Sequence, residues 1–263
     1  MKNEFNDKEK LTKLYNKYKN GYKIAEVINV NPKVLYRWLK KFEITNKNHK
    51  KRNIDDTYFE IIDTENKAYW LGFLMADGCI YKGSSKNSYR LQINLGIKDK
   101  HLLNAFLKDL KSNYEILEKT VSLQGKEHQV VMLKINSTKL CTDLMKHNVV
   151  PRKSKKCVMP PLKENLVRHF IRGYFDGDGS ISYLKKRDGF NFGIVGGIEI
   201  LNQFQKEFEK TSISTSIYPV RNGIFNLATT SIKSIKKIYH YMYNDSAIFL
   251  KRKHDKFLCK SPA

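Results

Sequence analysis

The stretch that most constrains this chain is His169-Phe-Ile-Arg-Gly-Tyr-Phe-Asp-Gly-Asp-Gly-Ser-Ile181. It is apolar and helix-permissive up to Phe175, ends in Asp176-Gly177-Asp178-Gly179, and hands over to a strand-like segment. A shorter echo stands upstream at Tyr69-Trp-Leu-Gly-Phe-Leu-Met-Ala-Asp-Gly-Cys-Ile80. At a constant offset of 101 positions, Gly72 falls on Gly173, Ala76 on Gly177, Asp77 on Asp178 and Gly78 on Gly179. Such an internal repeat means two copies of one structural unit. In each copy the small residues lie four apart on one helix face, so two such helices can pack with their backbones nearly touching. Glycine inside a helix costs about 1 kcal/mol relative to alanine, and close pairing supplies the reason for Gly72 and Gly173. Pairing also brings together two helix ends that each carry an aspartate.

Asp77 and Asp178 would then face the negative end of a helix dipole and each other's charge. A divalent cation relieves both, and beside a basic surface its expected chemistry is activation of water against a phosphodiester. A plain Asp-Gly helix ending accounts for one copy but not for two in register. A calcium loop of the EF-hand type fails on spacing. Counted from Asp176, its sixth position is Ile181 rather than glycine and its twelfth is Arg187 rather than glutamate.

The surface is basic: 49 Lys+Arg against 26 Asp+Glu give a formal net charge of +23, which points to a polyanionic partner, nucleic acid first. Cys79, Cys141, Cys157 and Cys259 form no CxxC pair, which argues against a zinc site or a disulfide framework and for a reducing compartment. No apolar run approaches the ~18 residues of a membrane span, and the first residues lack an apolar signal region. The expected location is therefore cytoplasmic or otherwise intracellular, with access to DNA and no membrane partner.

Residues 1–45 show three short helical patterns. Asn31-Pro32 starts the third, which carries Val34, Leu35, Trp38, Leu39 and Phe42 on one face and Lys33, Arg37, Lys40 and Lys41 on the other. This is similar to a helix-turn-helix DNA-binding module whose last helix enters the major groove; a three-helix cap with a solvated basic face has the same pattern. Residues 46–54 read as a basic linker. From 55 to 150 the order is helix-strand-strand-helix-strand-strand-helix. Within it Tyr89-Arg-Leu-Gln-Ile-Asn-Leu95 alternates strictly, with Leu91, Ile93 and Leu95 on one face and Arg90, Gln92 and Asn94 on the other. A proline-bounded basic connector, 151–161, offers Arg152 and Lys153 as DNA contacts. Residues 162–263 repeat the order and end in a basic tail that could lie along a phosphate backbone.

Trp70-Leu-Gly-Phe-Leu-Met-Ala-Asp-Gly78 and Ile171-Arg-Gly-Tyr-Phe-Asp-Gly-Asp-Gly179 resemble the motifs of the LAGLIDADG (dodecapeptide) homing endonucleases. The resemblance runs over about residues 55–258. It implies an α+β fold of two pseudo-symmetric αββαββα halves joined through paired motif helices, with Gly72, Ala76, Gly173 and Gly177 at the interface. It further implies a monomer acting as a pseudo-dimer on double-stranded DNA. Asp77 and Asp178 would bind Mg2+, or another divalent cation such as Mn2+, in site-specific double-strand cleavage. A basic residue near each metal is expected at Lys134 in the first half, whereas Ala228 stands at the matching place in the second. On this fold Arg90, Gln92 and Asn94 would lie on the DNA face, where amides and guanidinium groups read base edges. The alternatives are a non-cleaving DNA-binding regulator and an intron RNA-splicing maturase. A chain ending Lys260-Ser-Pro-Ala263 has no His-Asn splice junction and is expected not to be an intein.

Overall fold

The computed structural model describes residues 7–44 and 52–258, apart from Ser84, Lys86, Gln124, Arg152, Ser154, Lys155, Lys186 and Arg187. The chain divides into two compact units, Met1–Arg52 and Asn53–Ala263.

Among its described residues the first unit is three helices. Asp7, Asn20 and Asn31 cap α1 (Lys8–Tyr18), α2 (Gly21–Val27) and α3 (Pro32–Lys41) through their side-chain oxygens, and Pro32 takes the first turn of α3, where its missing N–H costs nothing. Leu11, Ile24, Ala25, Ile28, Leu35, Leu39 and Ile44 form its core. Lys33, Arg37, Lys40 and Lys41 are exposed on α3. The linker expected over 46–54 falls largely outside the described residues.

The second unit holds two copies of one plan. In the first, α4 (Glu65–Ala76) leads into β1 (Gly78–Lys82), β2 (Tyr89–Gly96), α5 (Lys100–Asp109), β3 (Ile116–Leu123), β4 (Lys126–Ile135) and α6 (Thr138–Lys146). In the second, α7 (Glu164–Asp178) leads into β5 (Gly179–Leu184), β6 (Gly189–Gly196), α8 (Ile198–Lys210), β7 (Ser216–Arg221), β8 (Ile224–Thr229) and α9 (Ile232–Tyr243). Each half has one four-stranded antiparallel sheet, in the orders β1-β2-β4-β3 and β5-β6-β8-β7. The expected α+β fold with two αββαββα halves is the one observed.

Strand alternation decides the core. Leu91, Ile93, Leu133 and Ile135 turn inward from the first sheet, and Phe192, Ile194 and Leu227 from the second. Motif helix α4 is buried at every residue from Ala68 through Met75, as a helix apolar all round must be. The tail differs from expectation. Residues Lys251–Leu258 form a further helix, α10, because Leu250, Lys253 and Phe257 recur at helical spacing and turn toward the core.

Candidate active site

The two motif helices touch backbone to backbone. A Cβ on Gly72 would lie 2.0 Å from the carbonyl oxygen of Phe170, and one on Gly173 would lie 1.9 Å from that of Tyr69. A Cβ on Gly177 would stand 2.3 Å from the Ala76 methyl and 3.4 Å from the Asp77 carboxylate. The residue that closes α4 is Asp77; the residue that ends α7 is Asp178.

Burial pushes the Asp77 carboxyl from 3.8 up to about 6, with the Asp178 charge adding to the rise. Asp178 is also raised by burial, while Lys153 and Lys253 pull it back. Both lysines are themselves lowered by burial, Lys253 to about 8. Burial thus shifts both acids up and both bases down, bringing Asp77 and Lys253 to either side of neutral pH, where protons move most readily.

Lys153 and Lys253 went unnoticed as a pair in the sequence. Each follows the closing helix of its own half and returns to its own motif helix. The buried Lys153 ammonium donates to the Gly78 carbonyl. The buried Lys253 ammonium donates to Phe175 O and Asp176 O at 2.8 Å and to Gly177 O at 3.0 Å. A cation there offsets the negative pole of the helix. The signal was present: Arg152-Lys153 and Arg252-Lys253 recur 100 positions apart, nearly the period of the aspartates.

The other expected site residues are distributed as follows. Lys153 was expected on the DNA surface and is instead buried, because only there can it reach the end of α4; Arg152 lies outside the described residues. Lys134 pairs across the sheet with Gln92, on the face turned away from Leu133 and Ile135. It is not among the charges acting most on Asp77, which are Asp178, Lys253, Lys153 and Arg252. The register supports the alignment of Lys134 with Ala228, since Cys79-Gln92-Lys134 in one sheet matches Ser180-Gly193-Ala228 in the other. Arg90, Gln92 and Asn94 share the outward face of β2. Gln92 donates to Asn94 at 3.3 Å, and the Arg90 guanidinium lies 5.9 Å from the Tyr81 ring centre. Asp176, which has only Met75 opposite it in the repeat and so reads as dispensable, is buried and accepts from Tyr69 Oη at 2.7 Å and Leu250 N at 2.6 Å.

A carboxyl raised by folding favours the native state below its unfolded value, and that contribution is lost as pH rises through about 6. Asp77→Asn is therefore expected to stabilise the metal-free protein at pH 8 by about 1–2 kcal/mol, or roughly 2–5 °C in midpoint. Scanning calorimetry at pH 8 and pH 4.5 checks this; the gain should shrink at the lower pH.

No family model matches the chain. A probable translation initiation factor IF-2 from Methanocaldococcus jannaschii is 24% identical over 241 residues, which are 88% of this chain but 18% of that protein's length. Among solved structures, a single and a double mutant of the LAGLIDADG homing endonuclease I-SmaMI each superpose with a TM-score of 0.50 at 14% identity, covering 72% of this chain and 87% of theirs. Paired motif helices with a sheet in the same strand order on either side, together with that superposition, give this chain the single-chain, two-motif LAGLIDADG fold.

Proposed function

We propose that this chain is a site-specific DNA endonuclease that hydrolyses one phosphodiester on each strand of a long duplex target. The observation that carries the reading is the Asp77–Asp178 pair at the helix tips, with one buried lysine on the end of each motif helix. A protein that only binds DNA gains nothing from two carboxylates facing phosphates. Ala228, a departure from the expected basic residue, weighs less once Lys153 and Lys253 supply each half with its own cation.

The donor set fits a hard divalent ion. The half-buried Asp77 and the more exposed Asp178 repel each other, and among the described residues no group of three or more His, Cys, Asp or Glu could hold a metal by itself. Mg2+ suits such a site because it keeps several waters and takes the remaining ligands from substrate phosphate. When bound, it would lower the pKa of a coordinated water and neutralise charge building on the phosphate. Asp77 and Asp178 would hold it. Lys253, its three donors taken by carbonyls, serves as a fixed positive charge beside the phosphate rather than as a hydrogen-bond donor to it. Lys153 would hold a phosphate oxygen in the other half.

The outward faces of the two sheets would follow the DNA grooves, with Arg90, Gln92, Asn94 and Lys134 among the contacts. Lys33, Arg37, Lys40 and Lys41 of the first unit would add phosphate contacts. Replacing those four with alanine is expected to weaken binding and flatten its salt dependence by about 3 in the log–log slope, leaving the rate on bound DNA unchanged. Fluorescence anisotropy across a salt series measures the slope.

The deciding experiment is selection from a randomised duplex library with Mg2+ or Mn2+. Recovery of one cut sequence supports the reading. Binding without cutting makes the protein a regulator, and intron splicing lost on deletion makes it a maturase. The role printed for the archaeal relative belongs to a protein of which this chain spans 18%, and it is not carried over.

A further inference from the structure

The two halves match in plan but not in how their last segments are fastened. Each closing helix is followed by a strap that crosses to the other half. The first strap, residues 147–163, meets α8, where Met159 N donates to Gln203 Oε1 at 2.8 Å. The second, residues 244–250, runs into α10, where Arg252 Nε reaches both oxygens of Asp99 at 3.0 Å.

In the second strap, backbone groups are held by the charged side chains of Glu65, Arg172 and Asp176. Ala247 N donates to Glu65 Oε1 at 3.0 Å, Arg172 Nε donates to Ile248 O at 2.9 Å, and Leu250 N donates to Asp176 Oδ2 at 2.6 Å. The three side chains are tied together: Arg172 donates to Glu65 at 2.8 Å, and Tyr69 Oη joins α4 to Asp176. At the offset of 101, the positions matching Glu65, Tyr69, Arg172 and Asp176 are Leu166, Phe170, Leu71 and Met75. All four are buried and apolar. At the same offset the amide matching Leu250 is that of Val149, which bonds locally to Leu144 O at 3.0 Å.

We infer that Asp176 is a positioning residue for one cutting centre only. By holding Leu250 it sets the register of α10, and so delivers Lys253 to the end of the second motif helix. Lys253 stands three residues beyond Leu250, within the first turn of α10, and its three carbonyl partners leave it little freedom to adjust. Lys153, in the other half, lies within the first strap, whose Val149 amide bonds locally to Leu144 O and whose Met159 amide bonds to the uncharged Gln203. The two strands are consequently cut by centres whose lysines are fixed by unlike chemistry, and the rate on one strand can be changed without the other. This rests on the endonuclease reading.

The test uses the full chain and a supercoiled target with each strand separately labelled. Lys253→Met first identifies the strand that Lys253 serves. Asp176→Asn, and separately Tyr69→Phe, are then expected to slow that same strand about 10- to 100-fold, the scale of an ångström's misplacement, with the other within about twofold and nicked circles accumulating. Tyr69→Phe should fold, since Phe170 already fills the matching position. Hydrogen exchange should quicken at amides 247–253 and stay unchanged at 147–151. Equal slowing of both strands, or an unchanged strand ratio, overturns the positioning role while the endonuclease reading stands. Wild-type protein that nicks neither strand overturns that reading, and this inference with it.

Discussion

Asp178→Asn is expected to abolish double-strand cleavage, by on the order of 10³-fold or more, while DNA binding stays within about threefold of wild type. Asp77→Asn should do the same. Each carboxylate is half of the donor set, and neither has a neighbouring acid to replace it: Asp176, the nearest in sequence, is committed to Tyr69 and Leu250. Binding should survive because the variants remove negative charge from a surface that meets phosphate. The metal gives an independent reading. Mg2+ should raise the wild-type thermal midpoint by mass action, whereas either variant should lose that response even though Asp77→Asn is the more stable protein without metal. Wild-type metal affinity should fall as pH drops through about 6, because Asp77 must ionise to ligate. Cleavage at the wild-type rate by Asp178→Asn would place the chemistry elsewhere, and loss of binding would make the aspartates structural.

The fold was legible because its organising residues obey short-range rules. Small residues four apart, an aspartate at each helix end and the strict alternation of β2 are local patterns, and a second copy 101 residues on made them mutually confirming. What the repeat hid was whatever the halves do not share. Comparing the copies sets Asp176 against Met75 and makes it look expendable, yet it anchors the last strap. Arg172 and Glu65 were passed over for the same reason. Lys153 and Lys253 were hidden differently. In a chain with 49 Lys+Arg, two lysines near the ends of basic segments look like surface charge. Only strap paths set by tertiary packing carry them inward. Lys134 illustrates the converse: its strand position was read correctly, but which face of the sheet approaches the aspartates depends on how two helices and two sheets are assembled.

Gly173→Ala is expected to be the most destabilising small substitution in the second unit, at about 3 kcal/mol or more, with Gly72→Ala close behind. The added methyl would lie 1.9 Å from Tyr69 O, 2.8 Å from Tyr69 C and 2.9 Å from Phe73 N, all of them backbone atoms of the facing helix. Ordinary overpacking costs about 1–3 kcal/mol because side chains can rotate away. Here nothing rotates. The helices must separate by more than an ångström along an interface that is buried on both sides, and packed interiors absorb such shifts poorly. Gly96→Ala is the matched control, since a Cβ there meets nothing within 4 Å and its effect should stay within about 0.5 kcal/mol. Denaturant unfolding gives the energies. The same displacement reaches the chemistry, because Asp77 and Asp178 stand at the ends of the two helices being pried apart. Any folded Gly173→Ala protein should therefore lose cleavage beyond its loss of stability, and adding metal to saturation should not restore it. A variant that folds at wild-type stability would mean the helices can part freely, and the shared aspartate centre would then owe nothing to their contact.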